Sequence, residues 1–257
     1  MNKKKIYDFH THISSLEVLE AYYDQDVIPV INCQSRDEFK GLIDKREVFS
    51  KDRIHFMDDL YYSMGIHPFD ADIVDQQFGS SYEELIKDAN LIGEIGMDAC
   101  WCDTPFEDQE RAFVMSLDLA KKYNKPIILH TKMMEARIYE ILKDYDLDMV
   151  IHWYSCDKYV REFIDLGCHF TVGPAIFVDE NVRNMVKLLP LDRILVETDG
   201  VEAIEWLFKK KFDPGNLRNI LEAVINELAD IKHVSFDVMS DYLLANSERL
   251  LRKDFYE

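Results

Sequence analysis

Histidine and acidic residues follow short apolar runs in five places along this chain of 257 residues. The runs read DFHTH, IGEIGMD, PIILH, VIHW and ILVETD, and they supply six candidate metal ligands: His10, His12, Glu94, His130, His152 and Asp199. A carboxylate or imidazole at the end of a buried strand is costly unless it has a partner. A shared metal ion would remove that cost. The pattern therefore predicts a metal site built from strand ends.

The size of this set indicates more than one metal ion. Four imidazoles and two carboxylates are too many for one tetrahedral zinc ion, whereas they suit two divalent cations. The positive charge of two such cations exceeds the negative charge of two carboxylates, so the site would attract an anion. A pair of this kind lowers the pKa of bound water and stabilises both oxygens of an in-line displacement. The imidazoles also suit zinc.

Strand periodicity places the first candidate ligands on one face. Side chains alternate between the two faces of a strand, so Asp8, His10 and His12 point to the same side of IYDFHTH. If that side is the interior of a barrel, the two histidines lie at the C-terminal mouth. Barrel enzymes place their chemistry at this end of the strands.

Eight strand-like runs alternate with helical patterns along the chain, which is typical of β-α units and a parallel sheet. Eight units at this length favour a closed (β/α)8 TIM barrel, one α/β domain over residues 1–257, with the metal site at the C-terminal mouth. The predicted strands run from Lys5 to His10, Val27 to Asn32, Tyr61 to Ile66, Leu91 to Ile95, Pro126 to His130, Met149 to His152, Cys168 to Val172 and Arg193 to Thr198.

Two helix starts carry chemical signals. Ser81 and Glu84 have the spacing of a capping box. Thr104 is the predicted N-cap of a helix that continues to about Tyr123, because Pro105 follows it at a position that favours proline. Both signals predict helices that lie directly before or after a strand carrying a candidate ligand.

The remaining segments are assigned from periodicity. The last part of the chain is predicted to be helical from Leu217 to Ile231 and from Ser235 to Leu244, with a short turn from Asn246. The charged segment from Arg36 to Asp59 has a weak period and is predicted as one helix and a loop. No linker or repeat marks a second domain.

Composition restricts the class of protein. The formal net charge is −19, so an extended basic groove for nucleic acid is not expected. The five cysteines are odd in number and scattered, which favours reduced thiols and a cytoplasmic protein. The first residues lack the apolar stretch of a secretory signal, and no run is long enough to cross a bilayer, so no membrane association is predicted.

Together the motifs resemble the TatD family of metal-dependent deoxyribonucleases, within the amidohydrolase-like barrel superfamily. The resemblance extends from about Ile6 to Leu251, and its strength lies in the number and order of the motifs. In chain order they are DFHTH, GIHP, GEIGMD, a helix start at Gln109, PIILH, HWYS and ETD. The resemblance implies hydrolysis of phosphodiester bonds at the 3′ ends of single-stranded DNA, with Mg²⁺ or Mn²⁺ as cofactors.

The resemblance also implies how the ligands are divided. One ion would have four ligands, namely His10, His12, Glu94 and Asp199. The second ion would have three, namely Glu94, His130 and His152. Glu94 would thus bridge the two ions, and Asp199 would also act as the base for the attacking water.

Other matching positions would contact the substrate or support the ligands. His67 of GIHP would lie near the substrate phosphate, and Lys132 stands where an arginine is common in the family. Lysine keeps the charge but lacks the bidentate fork of arginine. Asp8 and Asp98 would orient the imidazoles from behind.

Three functions remain open at this stage, because the chain departs from the family pattern after the ETD motif, where it continues GVEAIEW. The first is a two-metal phosphodiesterase acting as a 3′–5′ exodeoxyribonuclease. The second is a metal-dependent hydrolase of a small ester, lactone or amide. The third is a non-catalytic, metal-binding partner module.

Several residues near the motifs are given ordinary roles. Trp101 follows the GMD motif, and lining of the mouth and a plain loop are equally compatible with its position. Lys209, Lys210 and Lys211 are predicted to form a solvated face. Tyr22 is predicted to pack in the core.

Overall fold

The computed structural model describes residues 4–33, 35, 37, 38, 40, 41, 60–72 and 82–251. Most of the segment from Arg36 to Asp59 lies outside these residues, and so does the predicted capping residue Ser81. In the described part of the chain, eight strands occur in the predicted order. They are β1 (Ile6–Thr11), β2 (Val27–Cys33), β3 (Tyr61–Met64), β4 (Ile92–Asp98), β5 (Ile127–Lys132), β6 (Met149–Ile151), β7 (His169–Val172) and β8 (Ile194–Val196).

Helices separate most of these strands and complete the alternation. They are α1 (Leu16–Asp24), α2 (Tyr82–Asp88), α3 (Phe106–Tyr123), α4 (Glu135–Leu142), α5 (Val160–Asp165), α6 (Glu180–Leu188), α7 (Val201–Phe208), α8 (Leu217–Lys232) and α9 (Phe236–Leu250). Their ends follow the expected chemistry in several places. The Ser15 hydroxyl accepts a hydrogen bond from the Val18 amide at the start of α1. Gly167 adopts a positive φ just after α5.

Contacts between Cα atoms divide the chain into two compact units. Unit 1 comprises Met1–Ile31 and His152–Arg252, so it is built from both ends of the chain. Within it β1 runs parallel to β2 from the pair Ile6 and Val27, and β7 runs parallel to β8. Helices α8 and α9 pack against each other, and α9 also packs on β1 and β8.

Unit 2 comprises the described residues of Asn32–Ile151. Its strands β4 and β5 are parallel as far as the pair Asp98 and Lys132, and β5 is parallel to β6. Every residue of β4 and β5 is buried, as is typical of parallel strands that are covered on both faces. The prediction that the whole chain forms one domain stays a prediction.

The predicted start of α3 is wrong. The helix begins at Phe106, and Pro105 precedes it in an extended conformation without a side-chain cap. Thr104 does not cap the helix because its hydroxyl donates to the Phe69 carbonyl instead. The Gln109 side-chain amide in turn donates to the Thr104 carbonyl at 2.8 Å. This hydrogen bond links the first turn of α3 to the loop that precedes it.

The predicted end of the second C-terminal helix is also wrong. The helix was expected from Ser235 and begins at Phe236, with Ser235 as its N-cap, but it continues past Leu244 to Leu250 without a turn at Asn246. Asn246 is buried within the helix, and its amide donates to the carbonyls of Leu191 and Ile194. Asparagine usually favours helix ends because its side chain competes with the backbone. Here that side chain binds another segment, so it does not interrupt its own helix.

Candidate metal centre

Glu94 and His130 form the centre of a polar cluster in unit 2. Both are buried, and His130 Nδ1 lies 3.2 Å from Glu94 Oε2. The other ring nitrogen, Nε2, donates to Asp98 Oδ2 at 2.8 Å. In a neutral imidazole only one nitrogen carries a proton, so the lone pair of Nδ1 faces the Glu94 carboxylate. A proton or a cation between the two atoms removes this repulsion.

Asp98 fixes the orientation of the His130 ring. Besides the His130 bond, Asp98 Oδ1 accepts hydrogen bonds from the amides of Cys100 and Trp101 at 2.6 and 2.8 Å. Burial by itself would raise the pKa of Asp98, but these hydrogen bonds outweigh it and lower the pKa to about 2. An ionised carboxylate behind an imidazole is the usual support of a metal-binding histidine. The predicted supporting role of Asp98 is compatible with this geometry.

Opposing effects act on the pKa of His130. Burial would lower its pKa, but the hydrogen bonds with Asp98 and Glu94 and the charge of Glu94 outweigh it, so the pKa is raised. The positive charge of Lys132 acts in the opposite direction. The site therefore favours a positive charge at the position between His130 and Glu94, whether proton or metal ion.

The other carboxylate oxygen of Glu94 is hydrogen-bonded by a chain of two residues that were not predicted from the sequence. Asn32 donates from its amide to Glu94 Oε1 at 2.8 Å, and Ser63 donates to the Asn32 carbonyl oxygen at 2.7 Å. Both residues are buried polar positions on strands β2 and β3. The sequence does contain a pattern that could have indicated Asn32, because this residue follows an apolar run just as the candidate ligands do.

His67 belongs to the same cluster and is partly exposed. Its Nε2 lies 3.7 Å from Glu94 Oε2, and its ring centroid lies 4.7 Å from that of His130. Its Nδ1 accepts a hydrogen bond from the Phe69 amide, which places the proton of the neutral ring on Nε2. A protonated nitrogen donates and does not bind a cation. His67 is therefore suited to an anion, which agrees with the phosphate contact that remains predicted for it.

A second cluster in unit 1 gathers two histidines around one carboxylate oxygen. His10 Nε2 and His12 Nε2 lie 3.3 and 3.6 Å from Asp199 Oδ1. Two ligands of one ion are typically about 3–4 Å apart, because each metal–ligand bond is about 2 Å long. The ring of His152 lies 4.3 Å from the ring of His10. This group has the composition and the spacing of a cation site.

The backbone at the end of β8 brings Asp199 to these histidines. The Asp199 amide donates to the His10 carbonyl at 3.0 Å, and the residue itself has a φ of 60°. Gly200 follows at a φ of 90°, and a Cβ atom there would lie 3.0 Å from the His12 carbonyl. The close approach and the positive φ both favour glycine. The chain then turns directly into α7.

The electrostatics keep Asp199 ionised. Burial would raise its pKa, but the hydrogen bond from His10 and the charges of His10, His152 and His12 outweigh it and lower the pKa. An ionised carboxylate among imidazoles can bind a cation and can accept a proton. Both properties match the predicted roles of Asp199, which stay predictions.

Glu197 is a buried carboxylate to which the sequence assigned no role. Its Oε1 accepts from the Trp153 amide at 2.9 Å. Burial raises the pKa of Glu197 to about 8, and the Asp199 charge adds to this effect while His10 opposes it. The ETD motif contains a pattern that could have indicated Glu197. Glu197 and Asp199 are two positions apart, and residues at this spacing in a strand point to the same face.

Asp8 supports the strand ends and does not hydrogen-bond an imidazole in the described structure. Its Oδ1 accepts from the Thr198 amide at 2.8 Å, and its Oδ2 accepts from the hydroxyls of Thr198 and Tyr22 at 2.6 and 2.5 Å. Burial raises its pKa to about 6 despite these bonds. Asp8 therefore joins the start of β1 to the end of β8, next to Asp199.

Replacing Tyr22 with phenylalanine tests this support. Tyr22 is fully buried on α1, and Tyr22→Phe leaves Asp8 Oδ2 with one donor fewer. We expect the free energy of unfolding in urea to fall by about 1.5–3 kcal/mol, the usual value for a hydrogen bond to a charged group. Tyr242→Phe, at a tyrosine on α9 that is 40% exposed, is the matched control. Equal stability of both variants would show that the Tyr22 hydroxyl adds nothing.

Comparison with known proteins agrees with this chemistry. Residues 7–252 match the family described as TatD related DNase. The chain belongs to this family. Two relatives named uncharacterized metal-dependent hydrolases are 27% and 26% identical to it, one from Methanocaldococcus jannaschii and YabD from Bacillus subtilis. The alignments cover 98% and 96% of this chain, and 99% of each relative. The predicted family is thus confirmed, together with the general class of TatD-type metal-dependent hydrolases.

Solved structures of TatD proteins share the fold. YjjV, a TatD homologue from Escherichia coli, superimposes with a TM-score of 0.77 at 22% identity, covering 95% of this chain and 97% of YjjV. A TatD family hydrolase from Entamoeba histolytica gives 0.76 at 18% identity, covering 96% and 98% of the two chains. The predicted α/β fold of the TIM-barrel class is confirmed by this likeness. Among the described residues, no helix is both long enough and apolar enough to span a membrane.

Proposed function

We propose that this TatD-type chain is a divalent-metal-dependent phosphodiesterase that removes nucleotides from the 3′ end of single-stranded DNA. The main support for this proposal is the geometry of the two clusters. In each unit, a buried or half-buried carboxylate oxygen is faced by imidazole nitrogens at distances of 3.2 to 3.6 Å, the spacing of ligands that share a cation. The family match supports the choice of a nucleic-acid substrate.

The donor set fits divalent ions. His10, His12 and Asp199 would hold one in unit 1, while Glu94 and His130 would contribute to another in unit 2. The predicted sharing of Glu94 and the predicted place of His152 on the second ion are part of the proposal. When bound, the ions supply positive charge that acidifies water and neutralises the phosphate. Mg²⁺ or Mn²⁺ suits the carboxylates, and Zn²⁺ suits the imidazoles.

The side chains of the protein have separate tasks in this mechanism. Asp199 accepts the proton of the attacking water, since its carboxylate is ionised at neutral pH. His67 donates from Nε2 to a phosphate oxygen, because the Phe69 amide fixes its tautomer. Lys132 adds a positive charge near the same phosphate. Asp98 and Asn32 keep His130 and Glu94 in place before the substrate arrives.

The test is a time course on single-stranded DNA labelled at the 3′ end and, separately, at the 5′ end. We expect Mg²⁺ or Mn²⁺ to support release of 3′ mononucleotides and progressive shortening of the 5′-labelled strand. Excess EDTA should stop the reaction, and the same cation should restore it. No metal-dependent shortening at micromolar protein would contradict the nuclease, and hydrolysis of a small ester or lactone in its place would favour that second candidate.

A further inference from the structure

Two large aromatic side chains of unit 2 are exposed directly beside the residues of the proposed site. Trp101 is 59% exposed and Phe69 is 47% exposed. Single exposed apolar residues are common on protein surfaces and need no explanation by themselves. These two differ because each contacts a residue to which the proposed mechanism assigns a role in binding the phosphate.

The first contact joins Phe69 to His67, the residue proposed to donate to the substrate phosphate. The Phe69 and His67 rings pack in a T-shaped arrangement with their centroids 4.5 Å apart, and the His67 ring packs against that of His130. One side of Phe69 is therefore held by His67, while about half of the residue remains open to solvent. A ring held in this way can accept a second planar group without rearranging.

The second contact joins Trp101 to Lys132. The Lys132 ammonium lies 5.8 Å from the centroid of the Trp101 ring, within the range of a cation–π interaction. Lys132 is 8% exposed and stands two residues after His130 on β5. A nearly buried ammonium beside an exposed indole provides a positive charge and a flat surface side by side.

The loop that carries Trp101 is fixed by hydrogen bonds. The Trp101 amide donates to Asp98, and the Ala99 amide donates to the Lys132 carbonyl at 2.9 Å. Further along, Cys102 Sγ donates to the Pro68 carbonyl, and Thr104 donates to the Phe69 carbonyl. The two aromatic side chains thus belong to loops that are tied to each other and to the support of His130. Little conformational entropy would be lost when they bind a ligand.

We infer that Trp101 and Phe69 form a stacking subsite for a nucleobase of the substrate, with Lys132 binding the phosphate of the same nucleotide. This inference rests on the proposed function, because it assigns the substrate of that site to base-bearing nucleotides. Aromatic side chains bind bases of any sequence through their faces, and a neighbouring cation holds the backbone. The subsite would explain how an acidic protein engages DNA without a basic groove.

The experiment compares two oligonucleotides that differ only in their 3′-terminal bases. One is an ordinary single strand, and the other carries abasic tetrahydrofuran residues at its last positions. Trp101→Ala should lower kcat/KM on the ordinary strand by about 5- to 150-fold, the usual contribution of one stacked base. It should leave kcat/KM on the abasic strand unchanged. Trp101→Phe, which keeps an aromatic face, should retain most of the activity.

Two comparisons make the result specific. Trp206→Ala removes another exposed tryptophan, 57% exposed on α7, and should affect neither substrate. Binding of both strands is also measured by fluorescence anisotropy, so that the subsite is tested even if neither strand is hydrolysed. If neither strand is hydrolysed, the proposed function fails. A loss of affinity of Trp101→Ala for the ordinary strand alone still supports the subsite. An equal effect of Trp101→Ala on both strands, or no effect on either, would overturn the inference.

Discussion

Asp199→Asn is expected to hydrolyse DNA about 10²- to 10⁴-fold more slowly than the unmodified protein at saturating metal concentration. The substitution keeps the size of the side chain and one carbonyl oxygen, but an amide cannot accept the proton of the attacking water. It also removes the charge that His10 and His12 face at 3.3 and 3.6 Å, so a moderate loss of metal affinity is expected as well. Single-turnover rates over a range of Mn²⁺ concentrations separate the two effects.

The control for this variant is Asp192→Asn, which changes an exposed aspartate just before β8. It should leave both the rate and the metal content unchanged. Metal content per chain, measured by mass spectrometry after gel filtration, shows whether Asp199→Asn still carries ions. An asparagine variant with full metal and normal turnover would show that another group is the base. A variant without metal at any concentration would limit Asp199 to a ligand.

Glu94→Gln is expected to remove metal binding in unit 2 and, with it, the activity. Asn32 donates to Oε1, so the new glutamine keeps its carbonyl oxygen there and must place its NH₂ group at the position of Oε2. One N–H of that group would donate to His130 Nδ1, which lies 3.2 Å from Oε2 in Glu94. The amide then occupies the space of the cation. The loss in metal affinity should exceed the about 10- to 100-fold effect of changing a residue behind a ligand.

Titration calorimetry with Mn²⁺ and the DNA assay measure this result together. Glu84→Gln, at an exposed position on α2, is the matched control and should bind metal normally. If Glu94→Gln bound as many ions with the same affinity, Glu94 would not be a ligand, and the proposed division of ligands would be wrong. A chelator added to the control should reproduce the activity of the variant.

The sequence by itself predicted the strands and the residue types at their ends. A buried parallel strand needs a continuous apolar run, and such runs are local, so all eight could be located to within two residues at their first position. The family resemblance then gave His10, His12, Glu94, His130, His152 and Asp199 their assignments. The start of α9 was also predicted to within one residue, since the helix was expected from Ser235 and begins at Phe236.

Only the tertiary structure identified the residues that hold these groups in place. Asn32 lies 62 positions from Glu94, and Thr198 lies 190 positions from Asp8, so no local pattern joins them. The same reason explains the error at Asn246, whose side chain finds its acceptors on a segment more than fifty residues earlier. A polar side chain in an apolar environment takes whichever partner the fold brings within reach. The residue types of the candidate ligands thus follow from local sequence, whereas their orientation and protonation depend on contacts between distant segments.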